Sequence, residues 1–174
     1  MNLQEAKIYV GTIEKYNNGS LDGKWVNLSD FNSLDDFLDE CEEIHKDEED
    51  PEFMFQDWEN IPDGLVTESN LSEDFFYLRD EILFNLDEDK EEAFWIWLDN
   101  TRSTVDFGNP HKLIENFNED YIGKYYSEEE FAESLLDDYD LSEFARMYFD
   151  VEKFANDLFT SDYWYKDGFV FDNN

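Results

Sequence analysis

The apolar positions of this 174-residue chain change their period several times, and each change predicts an element. From Lys7 to Ile13 the pattern alternates moderately, as a half-buried strand does. Tyr16-Asn17-Asn18-Gly19-Ser20 then supplies turn chemistry before a second strand at Lys24-Trp25-Val26. Ser33, with Asp36 three residues on, resembles a capping box. Leu34, Phe37, Leu38, Cys41 and Ile44 follow at helical spacing, which predicts a helix ending near His45. Phe53 to Trp58 predicts a third strand, and Ile61-Pro62-Asp63-Gly64 marks a turn and a candidate boundary.

The middle of the chain reads as helical. Ser72 can cap a helix carrying Phe75, Phe76, Ile82, Leu83 and Leu86, and Asp87 can cap another carrying Phe94, Trp97 and Leu98. The block from Phe94 to Leu98 is apolar on every side, so burial all round is expected, with contact to another subunit as the alternative. Pro110 suits the first turn of a short helix with Leu113, Ile114 and Phe117. Tyr121 to Tyr126 can form a strand, Ser127 and Glu130 form a capping box, and Phe131, Leu135 and Leu136 line the helix that follows. A last helix holds Val151, Phe154, Ala155, Leu158 and Phe159 before a closing hairpin from Tyr163 to Phe171. The predicted class is α+β in three small parts: an N-terminal antiparallel sheet with a helix (1–62), a central helical domain (63–108) and a C-terminal α+β domain (109–174).

Charge changes this picture. With 12 Lys and Arg against 47 Asp and Glu the formal charge is −35, a value that in most chains signals disorder. Seventeen Phe, ten Tyr and five Trp argue that the chain nevertheless folds and holds its surface negative. Such a body repels nucleic acid and the anionic face of a membrane, so neither is expected as a direct partner. The chain lacks 18 successive apolar residues, and Met1 to Tyr9 does not read as a secretion signal, so a cytoplasmic protein is expected. Solubility alone calls for a net charge of roughly 2 to 8 with mixed signs. A halophilic origin fits poorly with a chain rich in Phe, Tyr and Asn and poor in Ala.

The acids fill the polar faces of the predicted helices. Asp35, Asp36, Asp39, Glu40, Glu42 and Glu43 occupy nearly every position that the first apolar stripe leaves open, and Asp47, Glu48, Glu49 and Asp50 follow. Later faces carry Glu73, Asp74, Asp80, Glu81, Asp87, Glu88, Glu91 and Glu92, then Glu128, Glu129, Glu133, Asp137 and Asp138. These carboxylates are the candidate target-binding surface. Among so many, a pair at catalytic spacing arises by chance, so no active site is expected. His45 and His111 stand outside zinc-binding patterns, and Cys41 reads as a core thiol whose acidic neighbours raise its pKa. The stretch from Asp87 to Glu92 has Glu92 where a calcium loop needs Gly, and phosphate loops are absent, so neither cofactor nor metal is expected.

Three stretches resemble the ArdA antirestriction family of DNA mimics: IYVGT with KYNNGSLDGKW (Ile8 to Trp25), EEIHKDEEDPEFMFQDWENIP (Glu42 to Pro62), and YFDVEKFANDLF with DGFVF (Tyr148 to Phe171). The middle, from about Val66 to Asn118, is similar only in acidity and helical character. The resemblance implies an elongated, curved molecule of three domains that dimerises. It also implies competition with DNA for the cleft formed by the specificity and methyltransferase subunits of type I restriction–modification enzymes. LLDDYDLSEFARMYF (Leu135 to Phe149) resembles the family's antirestriction motif, with Asp138-Tyr139-Asp140 in place of a Gly-containing linker. Leu136, Tyr139, Phe144 and Tyr148 of this stretch are the candidate homodimer residues. A reading from another class, an acidic adaptor or chaperone that neutralises a basic protein, stays open at this point.

Overall fold

A computed structural model describes residues 1–101 and 105–173. The chain is mixed α and β and divides into two units, Met1–Asp87 with Asp106–Leu113, and Glu88–Val105 with Ile114–Asn174.

In the first unit, the alternating stretch becomes β1 (Lys7–Thr12). Thr12 then caps a one-turn helix, α1 (Ile13–Asn17), where the sequence pattern predicts only a turn. β2 (Lys24–Asn27) and β3 (Phe53–Glu59) flank β1 on either side, both antiparallel to it, in the order β2-β1-β3. Alternation sends Ile8, Val10, Val26 and Phe55 to one buried face. The helix α2 (Leu34–Ile44) covers that face with Phe37 and Cys41, and the Phe37 and Phe55 rings lie 5.8 Å apart. A bulge between Tyr9 and Val10 leaves Gln56 as the extra residue of β3. Gly23 has to be glycine on space alone, because a Cβ there would lie 2.5 Å from the Val10 carbonyl oxygen.

A two-residue ribbon, β4 (Val66–Thr67) with β5 (Asn70–Leu71), precedes α3 (Asp74–Asn85). The cap position falls on Glu73, one residue after the expected Ser72, and makes no side-chain cap bond; Ser72 Oγ still accepts the Asp74 amide at 3.3 Å. Phe75, Phe76, Leu78 and Ile82 are buried, whereas Leu83 faces water. Arg79 on the same helix is only 6 % exposed, and its Nη1 donates to the carbonyls of Leu28 at 3.0 Å and Phe31 at 2.8 Å. One guanidinium thus gives charged donors to two main-chain carbonyls between β2 and α2, of which that of Leu28 also accepts the Phe31 amide at 3.3 Å.

The second unit contains α4 (Glu88–Thr101), where Phe94, Trp97 and Leu98 are buried while Trp95 and Ile96 stay half-buried. The apolar block therefore keeps an inner and an outer side within one chain. α5 (Pro110–Asp120) opens on Pro110 as predicted and contributes Phe117, 5.5 Å from the Phe94 ring. Trp97 Nε1 donates to Asp120 at 2.7 Å, so the buried indole keeps its hydrogen bond. β6 (Tyr121–Lys124), shorter than the predicted strand, pairs with β8 (Phe169–Asp172), which also pairs with β7 (Tyr163–Lys166), in the order β6-β8-β7. Asp167 and Gly168 both have positive φ, the turn a two-residue hairpin demands. Phe169, Val170 and Phe171 are buried; alternation puts Phe169 and Phe171 on one face, 6.4 and 5.9 Å from the Tyr121 ring, and Val170 on the other. The helices α6 (Glu128–Leu136) and α8 (Val151–Ser161) belong to the same unit, and a short α7 (Glu143–Met147) lies between them in the chain.

Removing the Arg79 guanidinium takes a charged donor from both carbonyls and leaves the Leu28 carbonyl only its bond from the Phe31 amide at 3.3 Å. Arg79→Met is expected to lower unfolding stability by about 2–4 kcal/mol, read as a shift of the urea midpoint at unchanged slope.

Candidate functional site

α2 shows how local sequence builds a single-sign surface. Ser33 Oγ accepts the Asp36 amide at 3.2 Å and starts the helix. Because Phe37 and Cys41 point inward four residues apart, Asp35, Asp36, Asp39, Glu42 and Glu43 are left exposed and Glu40 half-buried. Asp35 and Asp36 suit the positive end of the helix dipole, but Glu42 and Glu43 sit at the negative end and oppose it. Asp35 with Asp39, and Asp36 with Glu40, are like charges at helical neighbour spacing, each pair costing about 0.2–0.5 kcal/mol. A helix shaped by stability alone alternates signs at these positions.

The remaining candidate acids also reach solvent. Asp47, Glu49, Asp50, Glu73, Asp80, Asp87, Glu88, Glu92, Glu129, Glu133, Asp137 and Asp138 are exposed, and Glu48, Asp74, Glu81, Glu91 and Glu128 are half-buried. The set from Asp35 to Asp87 belongs to the first unit and that from Glu88 to Asp138 to the second. The N-terminus of α6 repeats the logic of α2. Ser127 Oγ accepts the Glu130 amide at 3.2 Å, and the Glu130 carboxylate accepts the Tyr126 amide at 2.6 Å, one residue earlier than a standard capping box. The Ser127 hydroxyl, followed by its own amide, holds the Glu129 carboxyl below the usual range.

Cations are few and placed at particular acids. Lys24 pairs with Glu40 at 3.2 Å, Lys46 with Glu43, Arg79 with Asp80 at 2.8 Å and Arg146 with Asp137 at 2.8 Å. Lys7, Lys124 and Lys166 pair with Glu59, Asp89 and Asp99, acids outside the candidate set. Among the described residues no basic side chain pairs with Asp35, Asp36, Asp39, Glu42, Glu49 or Asp50.

The acidic run after α2 has a built support that sequence spacing did not announce. Lys15 Nζ donates to His45 Nδ1 at 2.9 Å and to Asp47 Oδ1 at 3.0 Å, and lies 3.4 Å from Glu48 Oε1. His45 is 2 % exposed and donates from Nε2 to the Val10 carbonyl at 3.2 Å, which fixes its tautomer. Thr12 Oγ1 donates to Glu48 Oε1 at 2.7 Å. Burial pulls the Lys15 ammonium down, but hydrogen bonds and charge from Asp47 and Glu48 outweigh it and hold its pKa above the lysine value. The hydrogen bond from Lys15 holds Asp47 below the usual carboxylate range. His45 is thus a structural histidine. His111 is exposed, with Nδ1 3.5 Å from Glu81 Oε2.

Of the four candidate dimer residues, Tyr139, Phe144 and Tyr148 are 58 %, 73 % and 73 % exposed, and the last two rings lie 5.0 Å apart. Met147 joins them at 78 %, a residue the pattern did not single out. Leu136 is buried within its own unit. Arg146 fastens α7 to the end of α6, donating from Nη2 to the Leu136 carbonyl at 2.9 Å.

Among the described residues no group of three or more His, Cys, Asp or Glu side chains is placed to hold a metal ion, and no helix is long and apolar enough to cross a membrane. What the geometry defines is an acidic α+β protein with an apolar core, carboxylates that reach water and a few exposed aromatic side chains. The ArdA family model, antirestriction protein (ArdA), matches residues 8–171, and the chain belongs to that family. Antirestriction, action against restriction enzymes, is the function this membership implies. A comparison with curated proteins returns no match.

Cys41 sits in the core beneath the acidic face of α2, and burial, reinforced by the Glu40 charge, pushes its thiol up to about 12. An unfolded thiol titrates near 8.5, so this contribution to stability is complete below that value and is lost as pH rises toward 12. In native protein at about pH 8 the thiol is expected to react with a disulfide reagent only as fast as the chain unfolds, and at once in denaturant. Immediate native-state labelling contradicts this.

Proposed function

We propose that the protein is a non-catalytic competitor of DNA: its carboxylates imitate the charge of B-form DNA and occupy the DNA-binding site formed by the specificity and methyltransferase subunits of a type I restriction–modification enzyme. The observation that carries this reading is the single-sign outer face of α2, with Asp35, Asp36, Asp39 and Glu42 held on a helix whose other side is core. Like charges kept close at a cost to the helix need a use outside the fold. A cleft lined by Lys and Arg supplies one, because it attracts any body that presents negative charge at nucleic-acid density. At one charge per ~1.7 Å of duplex, 35 net charges match ~60 Å, or ~17 base pairs.

The decisive experiment is displacement of labelled duplex from a purified type I methyltransferase core. Affinity is expected to fall about tenfold or more from about 50 to about 200 mM salt, while single changes such as Asp39→Asn cost about 0.2–1 kcal/mol each. Abolition of binding by one such change, with no salt dependence, contradicts distributed charge. Failure to displace DNA combined with capture of small basic proteins favours the adaptor reading.

We also propose that the protein works as a homodimer that covers Tyr139, Phe144, Met147 and Tyr148, four large side chains exposed on or beside one short helix. Sedimentation equilibrium at about 10 µM protein is expected to show the dimer mass, and Phe144→Ser with Tyr148→Ser the monomer mass. A wild-type monomer removes the proposal.

A further inference from the structure

The loop 45–52 carries four successive acids and should behave as a repelling, disordered run if charge alone governed it. It is instead tied at several points. The Glu48 amide donates to the His45 carbonyl at 2.9 Å, and the Ile13 amide donates to the Glu52 carbonyl at 2.9 Å. Between these backbone ties, one ammonium group gathers three segments. Lys15 on α1 reaches the buried His45 at the end of α2 and both Asp47 and Glu48 in the loop. Two of the three ammonium hydrogens go to His45 and Asp47, and Glu48 Oε1 stands 3.4 Å away as an ion-pair partner. The Glu48 side chain is only 10 % exposed and also accepts the Thr12 hydroxyl, whereas Glu49 and Asp50 are exposed.

We propose that Lys15 is a positioning residue: it holds the acidic loop in one conformation, with Asp47 and Glu48 as its anchors and Glu49 and Asp50 as the carboxylates presented to the target. This rests on the competitor reading above and divides the acidic run into scaffold and contact. The physical reason is preorganisation. Four like charges on a free loop spread apart and must be ordered when they bind, whereas a loop already gathered around a cation meets the cleft with that entropy already lost. The cation that does this lowers the net negative charge by one and still strengthens binding. Charge counting makes the opposite claim, so the two accounts differ in sign.

Two variants release the loop while moving the net charge in opposite directions. Lys15→Met takes the charge from −35 to −36, and Asp47→Asn with Glu48→Gln takes it to −33. Both are expected to weaken DNA displacement, by roughly five- to a hundredfold for ordering two long side chains, and Lys15→Arg is expected to retain most of it. In the isolated protein, ¹⁵N order parameters at Glu49 and Asp50 are expected near 0.85 for wild type and Lys15→Arg, and below about 0.6 for Lys15→Met. Helical circular dichroism equal to wild type shows that the rest of the fold is intact; if Lys15→Met loses it, the order parameters of the double variant at Glu49 and Asp50 decide, since loss of two charges weakens displacement on either account. Tighter displacement by Lys15→Met than by wild type, or equal mobility of the loop in all proteins, overturns the proposal. Should wild type itself leave DNA bound, the competitor reading fails, and the order parameters still decide whether Lys15 orders the loop.

Discussion

Mutual repulsion among 35 uncompensated negative charges is the constraint that the rest of this protein answers. At a Debye length near 8 Å in physiological salt, carboxylates on successive turns of one helix still feel each other, so the cost is local and recurs along each acidic face. What offsets it is also local. On α2 and α6 the apolar and acidic sides are separated: α2 sets Phe37 and Cys41 against Ile8, Val10 and Phe55, and α6 sets Phe131 and Ala132 inward beneath Glu129 and Glu133. Aromatic side chains suit this task because each buries a large apolar area per residue, leaving more positions in the helix for charge. The high aromatic count and the high acid count are therefore two sides of one requirement.

The few cations act less as neutralisers than as fasteners. Arg79 is buried and bonds main-chain carbonyls, with Asp80 as its exposed counter-charge. Lys15 joins α1, α2 and the loop beyond it, and Arg146 joins α7 to α6 through a carbonyl and Asp137. Each sits at a join between elements, where a carbonyl or an acidic run lies outside a helix or sheet. Exposed single pairs such as Lys46 with Glu43 contribute little to stability, so the value of the basic residues lies in the multi-partner contacts.

Periodicity made most of the fold legible. α2 ends at Ile44 with His45 as its cap, β3 and the closing hairpin fall where alternation and turn residues put them, and Pro110 opens α5. What escaped is short or contingent on tertiary contact. The one-turn α1 has no apolar stripe and is held by Thr12 and by the Lys15 network; the β4 and β5 ribbon is two residues wide; α7 lies almost wholly exposed. The acidic surface was legible for the same reason as the helices, since an exposed face is the complement of an apolar stripe. The Lys15 and His45 contact was not, because residues 30 apart meet only after β1 and α2 pack.

This contrast bears on what a charge-based binding surface is. Composition fixes how many carboxylates exist, and helix geometry fixes the spacing of those on α2 and α6 without help from any cation. On a loop neither is enough: Asp47 to Asp50 are four successive acids, a higher density than the six acids among the eleven residues of α2, but have no intrinsic spacing, and repulsion would disperse them. A carboxylate array that is to resemble a stiff polyanion must therefore convert its acidic loops into fixed geometry by a route other than helix formation. A partly buried cation with several carboxylate partners is such a route, since it removes one unit of charge and in return constrains the direction of several. The half-buried Glu48 and the exposed Glu49, adjacent in sequence, differ in surroundings: one faces the ammonium and the Thr12 hydroxyl, the other faces water.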